Sequence, residues 1–248
     1  MRTTTMGIKL GRGKERSLLA EGLYRLNHLA LRALGEERHF SLVLDLEWIA
    51  NRVAHEASHR HYVGDRHPLR VRTAEFLLSA IEPHHRVLDV GCGGGFVADM
   101  VARRAREVVA IDHDANTVER SRKRFGRPGL TFLVGDAFEH VASEKTGFDV
   151  VVLSHVLEHL DDPGVFLARC RPIADFVYVE VPDFQATPLN AYRVDLHRPL
   201  VHTDEDHVSE FDRDELASII VGAGLRIIKS DFREGMLRFW CATERSPA

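Results

Sequence analysis

The chain is poor in several things that would define its class. It has only three cysteines, Cys92, Cys170 and Cys241, widely spaced and odd in number. That excludes a disulfide-stapled scaffold and suits a reducing cytoplasm. No run of apolar residues is long enough to span a bilayer. The opening segment, MRTTTMGIKLGRGKERS, lacks the apolar centre of a secretory signal. There is no internal repeat and no low-complexity tract. No excess of positive charge is present either: net charge is −4 over 248 residues. No global field draws the chain to phosphate backbones, so nucleic acid is not an expected partner. What remains is an ordinary globular composition, 44% apolar with charges of both signs, sufficient for one sizeable core.

The pattern of apolar residues changes once along the chain. Residues 17–35 and 40–59 repeat apolar side chains at helical steps: Leu19, Leu23, Leu26, Ala30 and Ala33, then Leu42, Leu46, Ile49, Val53 and Ala57. A third helix is expected over 69–81, with Val71, Ala74, Leu78 and Ile81 on one face. After Pro83 short β-branched runs alternate with helical segments. Strands are expected at RVLDVGC (86–92), EVVAIDHD (107–114), LTFLVGD (130–136), FDVVVLSHV (148–156) and DFVYVEVP (175–182). This alternation implies a parallel sheet covered by helices on both faces. Asp212 and Glu215 have capping-box spacing ahead of an apolar stripe that Gly224 can close. RIIKSDF and LRFWCATE follow, joined by a short turn, so the last strand should lie antiparallel. The expected organisation is an N-terminal helical cap over 1–82 and a sheet domain over 83–248. Within it, 183–211 lacks periodicity and reads as a lid insertion.

Glycines 91, 93, 94 and 95 follow the first strand directly and precede a helix. That arrangement brings backbone N–H groups against a ligand. A phosphate loop would need a Lys-Ser or Lys-Thr pair after the glycines, and none follows. The dinucleotide fingerprint would need a third glycine where Phe96 stands. The form D-x-G-x-G-x-G is filled completely by Asp89, Gly91, Gly93 and Gly95. Asp112 ends the second strand, where a carboxylate can accept both hydroxyl hydrogens of a ribose. GDAF (135–138) ends the third strand and SHVLEH the fourth.

On these four motifs in order, over about residues 85–245, the sequence resembles the class I S-adenosylmethionine-dependent methyltransferases. The resemblance implies a Rossmann-like doubly wound seven-stranded sheet with an antiparallel last strand. It implies S-adenosylmethionine as cofactor, held by Asp89, Gly91, Cys92, Gly93, Gly95, Asp112, His113, Asp136, Ala137, Ser154 and His155. In the family, the acid equivalent to Asp136 faces the adenine amino group. Each residue also has a plain structural reading: Asp136 can cap a turn, Asp112 can be a solvated strand end, and Cys92 can fill space.

Fifteen histidines are present, and two groups stand out. HVLEH (155–159) matches an inverted zinc-protease pattern. That reading needs both histidines on a helix over an open cleft, whereas His155 sits at a strand end. His155 is expected to line the pocket, with Glu158 and His159 supporting the loop. The second group is His197, His202, Asp204, Asp206, His207 and Glu210. Three roles compete for it: metal binding, general-base catalysis with His155, His202 or His207 as candidates, and plain loop hydrogen bonding. No residue is assigned to a metal at this point. Among the N-terminal helices, Tyr62, Arg66, Arg70 or Arg72 can meet the methionine carboxylate of the cofactor.

The motif N-P-P-Y of nucleic-acid amino-methylating enzymes is missing after the fourth strand, as is the paired-glutamate loop of arginine methyltransferases. The expected reaction is therefore O-methylation of a small-molecule or carbohydrate acceptor by a cytoplasmic enzyme, with a homodimer allowed. The alternatives are an NAD(P)-dependent oxidoreductase and a non-catalytic cofactor-binding member of the fold.

Overall fold

The computed structural model describes residues 18–62, 66–143, 147–201, 204 and 206–245. His202 and the polar lead before residue 18 lie outside them. The described chain divides into two compact units at Arg52/Val53.

The first unit contains α1 (Leu18–Leu34) and the first part of α2 (Glu36–His61). Both were legible from the spacing, and Gly35 turns the chain between them at φ +77°. His39 Nε2 bonds Asn27 Oδ1 at 2.8 Å. The apolar stripes, however, are open: Leu23, Leu26, Leu42 and Leu46 are 58, 62, 41 and 55% exposed. They line an apolar cleft of about 580 Å³.

The second unit is built on a seven-stranded sheet. Its strands are β1 (Arg86–Val90), β2 (Glu107–Asp112), β3 (Leu130–Val134), β4 (Val150–Ser154), β5 (Phe176–Pro182), β6 (Arg226–Asp231) and β7 (Met236–Ala242). Their order is β3-β2-β1-β4-β5-β7-β6. The first five pair in parallel, and β7 runs antiparallel between β5 and β6. The chain works outward from β1 to β3, then returns to β4 on the other side of β1. That reversal opens a crevice at the carboxyl ends of β1 and β4, the usual binding position of such sheets.

Helices α3 (Pro68–Leu78), α4 (Phe96–Val101) and α5 (Ala115–Arg124) supply one face. Their Phe76, Leu77, Ala98, Val101 and Val118 pack with Val87, Val108, Val150 and Val152 of the sheet. On the opposite face, α6 (Ala137–Ser143), α7 (Pro163–Cys170) and α9 (Arg213–Gly222) pack on Leu88, Val109, Val151 and Val179. Adjacent residues of one strand thus enter opposite cores, as the two-residue period of a strand requires.

The inward face of α3 differs from the one expected. Val71 is 42% exposed, whereas Thr73, Phe76 and Leu77 are buried. The reason is polar: Thr73 Oγ1 donates to Glu180 Oε2 at 2.8 Å, so a threonine and not a valine turns inward. The 183–211 stretch is not featureless. Pro188 precedes α8 (Leu189–Asp195), which buries Asn190 and Arg193, with Arg193 Nη1 donating to Asn190 Oδ1 at 2.9 Å. Seven residues are too few for helical periodicity to register, and here the inward residues are polar.

Candidate functional site

The turn after β1 is shaped by its glycines. Gly91, Gly93 and Gly95 all adopt positive φ, at +66°, +47° and +74°. The N–H groups of Gly91 and Cys92 donate to Ile111 O at 2.9 and 3.1 Å, fastening the turn to β2. A side chain on Gly95 would strike the Phe132 ring at 2.8 Å, while one on Gly93 would meet nothing within 4 Å. Gly93 thus presents bare backbone to open space. Cys92 is buried, and that burial pushes its thiol well up, so it fills space and is no nucleophile.

Asp112 ends β2. Its Oδ2 accepts the Gly93 N–H at 2.8 Å and its Oδ1 the Asp114 N–H at 2.9 Å. Asp89 lies behind the turn, 2% exposed, and its Oδ2 has no hydrogen-bond partner among the described residues. Burial, and then the Asp112 charge, push the Asp89 carboxyl up to about 8. His113 is almost wholly exposed and 3.6 Å from Asp112 Oδ1. Asp136 does cap a helix: its Oδ1 accepts from Phe138 N at 2.7 Å and Glu139 N at 3.0 Å. Ala137 is buried beside it, and the Gly135 N–H reaches Asp112 O at 3.0 Å. The fold therefore gathers Asp89 to Gly95, Asp112, His113, Asp136, Ala137, Ser154 and His155 at the carboxyl ends of four neighbouring strands.

His155 takes a strained positive φ of +57° just past β4. Its Nδ1 lies 3.0 Å from Glu158 Oε1, and its Nε2 lies 3.8 Å from Glu180 Oε1. Burial works against its charged form, but the hydrogen bond and charge of Glu158 and the charge of Glu180 outweigh it. The imidazole therefore titrates above its usual value.

Ser154 and His155 open onto a cavity of about 390 Å³ between α3, α4 and the ends of β4 and β5. Leu69, Ala74, Leu78, Phe96, Val97 and Met100 give it apolar walls, and His55, His59, Arg70 and Glu180 give it polar points. The Arg70 guanidinium lies 3.7 Å over the Phe96 ring. Arg72 instead engages Glu75 and Glu234, at 2.6 and 3.2 Å. Tyr62 and Arg66 are exposed. His207 is not among the lining residues: it turns to Glu210 Oε1, 2.9 Å from its Nδ1, and to the ring of His159.

Sequence reasoning passed over the polar centre beneath this cavity. The buried Glu180 carboxylate accepts from Thr73, from Ser154 Oγ at 3.1 Å, from Tyr178 OH at 2.7 Å and from Arg238 Nε at 2.5 Å. Burial first, and then Glu180, hold the Tyr178 phenol well above its usual range, so it donates. A signal existed. One charge interrupts each of the apolar strands FVYVEVP and MLRFWCA, and Glu180 and Arg238 are register partners in the β5–β7 pair. His55 and His59 were passed over as well; their ring nitrogens lie 3.1 Å apart, and His59 stacks on His67 with centroids at 4.3 Å. Burial, followed by its histidine neighbours, holds His59 below its usual value.

The sheet order, the glycine turn and the acid after β2 define a Rossmann-like fold that binds a nucleoside cofactor at the carboxyl ends of its strands. Residues 88–174 match the family described as a methyltransferase domain. A probable S-adenosylmethionine-dependent methyltransferase of Mycobacterium tuberculosis is 30% identical over 147 residues, covering 56% of this chain and 47% of that protein. A ubiquinone biosynthesis O-methyltransferase of Hahella chejuensis is 36% identical over 94 residues, covering 37% of this chain and 40% of that protein. The chain thus spans about half the length, or less, of these relatives. In fold, it is similar to the magnesium protoporphyrin IX methyltransferase of Synechocystis, solved with S-adenosylhomocysteine bound. That likeness has a TM-score of 0.54 at 14% identity, over 70% of this chain and 81% of that one. The sheet-bearing part of the chain has the fold of the class I S-adenosylmethionine-dependent methyltransferase superfamily, and residues 88–174 match its methyltransferase domain.

The cofactor of that superfamily is S-adenosylmethionine, and the residues present fit it. The orphaned Asp89 oxygen is a buried acceptor that a cationic amino group would relieve. Gly93 leaves open space where a side chain would stand. Asp112 brings a carboxylate to the neighbouring strand end, and its two oxygens retain lone pairs for a diol.

Proposed function

We propose that the protein transfers a methyl group from S-adenosylmethionine to an oxygen atom of a small-molecule acceptor. The observation that carries this reading is the cavity beside Ser154 and His155, which adjoins the first turn of α4 directly after the glycine loop. The sulfonium of the cofactor supplies an activated methyl group. The chain has to place a nucleophile in line behind it and keep water away.

Roles follow from position. Asp89 and the glycine turn hold the amino-acid end, Asp112 and His113 the ribose, and Asp136 and Ala137 the adenine. Glu158, accepting at Nδ1, holds the His155 ring with Nε2 toward Glu180 and the cavity. His155 can there take a proton from an acceptor hydroxyl. His207, tied to Glu210 and outside the lining, is the weaker candidate for that base. His202 falls outside the described residues. Arg70, on the cavity wall, is the arginine placed for a carboxylate, on cofactor or acceptor.

The mostly apolar walls favour an acceptor with an apolar body over a free sugar. The likeness to ubiquinone biosynthesis O-methyltransferases supports oxygen as the methylated atom. A cytoplasmic location and a homodimer complete the reading. No described helix is long and apolar enough to cross a membrane.

Calorimetric titration with S-adenosylhomocysteine and, separately, with NAD tests it. S-adenosylhomocysteine is expected to bind one per chain and to lose affinity on Asp112→Ala. Tight binding of NAD alone would overturn the proposal.

A further inference from the structure

The loop after β4 carries a cluster of which the proposed methyl transfer uses only Glu158, as the partner of His155. Glu158 and His159, in the short 3-10 turn Leu157–His159, meet His207 from the segment ahead of α9. One ligand atom from each lies within 4.8 Å of the others. The Glu158 side chain is 0% exposed, and its Oε2 has no hydrogen-bond partner among the described residues, while Oε1 is taken by His155. A buried carboxylate oxygen left unpaired is costly, and native structures seldom retain one without a reason.

Both imidazoles are already oriented. His207 Nδ1 faces Glu210 Oε1 at 2.9 Å, and His159 Nδ1 faces the Asp206 carbonyl at 3.1 Å. In metal centres a carboxylate or carbonyl behind one ring nitrogen fixes the tautomer and ring orientation of a histidine ligand. The two chain segments are also tied together, because the Glu158 carbonyl accepts from Val208 N at 2.9 Å and Ser209 N at 3.2 Å. Asp204 and Asp206 form an overlapping group with His207.

We infer that Glu158, His159 and His207 bind a divalent transition-metal ion of the zinc, manganese, iron or cobalt kind. Two imidazoles and one carboxylate suit such ions, whereas calcium and magnesium prefer oxygen alone. Three protein ligands leave coordination positions open. The zinc-protease spacing of HVLEH is thus half relevant: its glutamate and second histidine join His207, while its first histidine faces the cavity. His155 links the two places, since it bonds Glu158 and lines the cavity. The metal site shares no residue with the glycine turn or Asp112, so it stands or falls apart from the cofactor reading.

The test uses the full chain, freed of any tag and stripped with chelator, then titrated with Co²⁺ alone while its visible absorption is read. The parent should bind one equivalent. Glu158→Gln, and the pair His159→Gln with His207→Gln, should each weaken binding by at least about tenfold. His84→Ala should leave it unchanged, since His84 belongs to the separate Glu82–His84–His85 group. Circular dichroism of each variant selects those that fold. Failure of the parent to bind Co²⁺ stoichiometrically overturns the proposal, and so does parental affinity in the folded variants. Loss of S-adenosylhomocysteine binding with Co²⁺ binding intact would sink only the methyltransferase reading.

Discussion

Asp89 is held far from its behaviour in solution. Its carboxyl sits at about 8 in the folded chain against 3.8 for the free group. Between those values the folded state keeps a proton that the unfolded state has lost. Stability contributed by the protonated form is complete below the lower value and drains away as pH rises toward the upper one. The loss is at most about 1.4 kcal/mol per pH unit. Without cofactor, the parent should therefore lose more melting temperature between pH 5 and pH 8 than Asp89→Asn, which stays neutral throughout. Equal losses in the two proteins would refute the assignment. His155 makes a different prediction. If it takes the acceptor proton, His155→Ala should lower turnover by about a hundredfold or more while changing S-adenosylhomocysteine affinity little. A variant with full turnover removes it from the mechanism.

Two elements make firm energetic statements. In the β5–β7 pair, Arg238 is fully buried against Glu180, and Arg238 Nη1 also donates to Arg233 O at 3.0 Å. Arg238→Ala leaves the glutamate charge without its guanidinium and should cost about 3–5 kcal/mol in urea unfolding. A cost under about 1 kcal/mol would mean that Thr73, Ser154 and Tyr178 suffice as donors. In the glycine turn, Gly95→Ala must hold φ +74° and push a methyl group into Phe132, with Ser121 Cβ also only 3.1 Å away. About 2–4 kcal/mol is expected. Gly94→Ala, whose nearest contact is an ordinary 3.6 Å, should cost far less, and equal costs would contradict the geometry. These elements also show what the sequence could reveal. The parallel strands β1, β2, β4 and β5 were legible because both their faces are buried, leaving apolar runs, and the more exposed β3 was legible as an apolar run closed by glycine. The cap at Asp212 was legible as well; it accepts Glu215 N at 2.8 Å. The face of α3, the helix α8 and the Glu180 centre were not. Each depends on polar side chains buried by partners distant in sequence, and periodicity records only apolar burial. The same holds for the candidate site: the residues proposed for the cofactor follow strand ends in order, whereas the cavity lining and the Glu158 group are assembled from separate segments.

At the scale of the whole molecule, β7 has the most consequence. It is buried at all seven positions and lies between β5 and β6, so it completes one edge-to-centre pairing on each side. A chain ended after Gly235 should lose cooperative unfolding and near-ultraviolet dichroism; a native-like melt from that fragment would contradict the pairing. During synthesis, β1 to β5 leave the ribosome with β5 still an open edge. Its Glu180 then has no cation until Arg238 emerges. The growing chain must pass through a stage in which a long apolar rim is available to other chains. Cellular yield should thus depend on how soon holding factors shield that rim, even though the finished sheet conceals it.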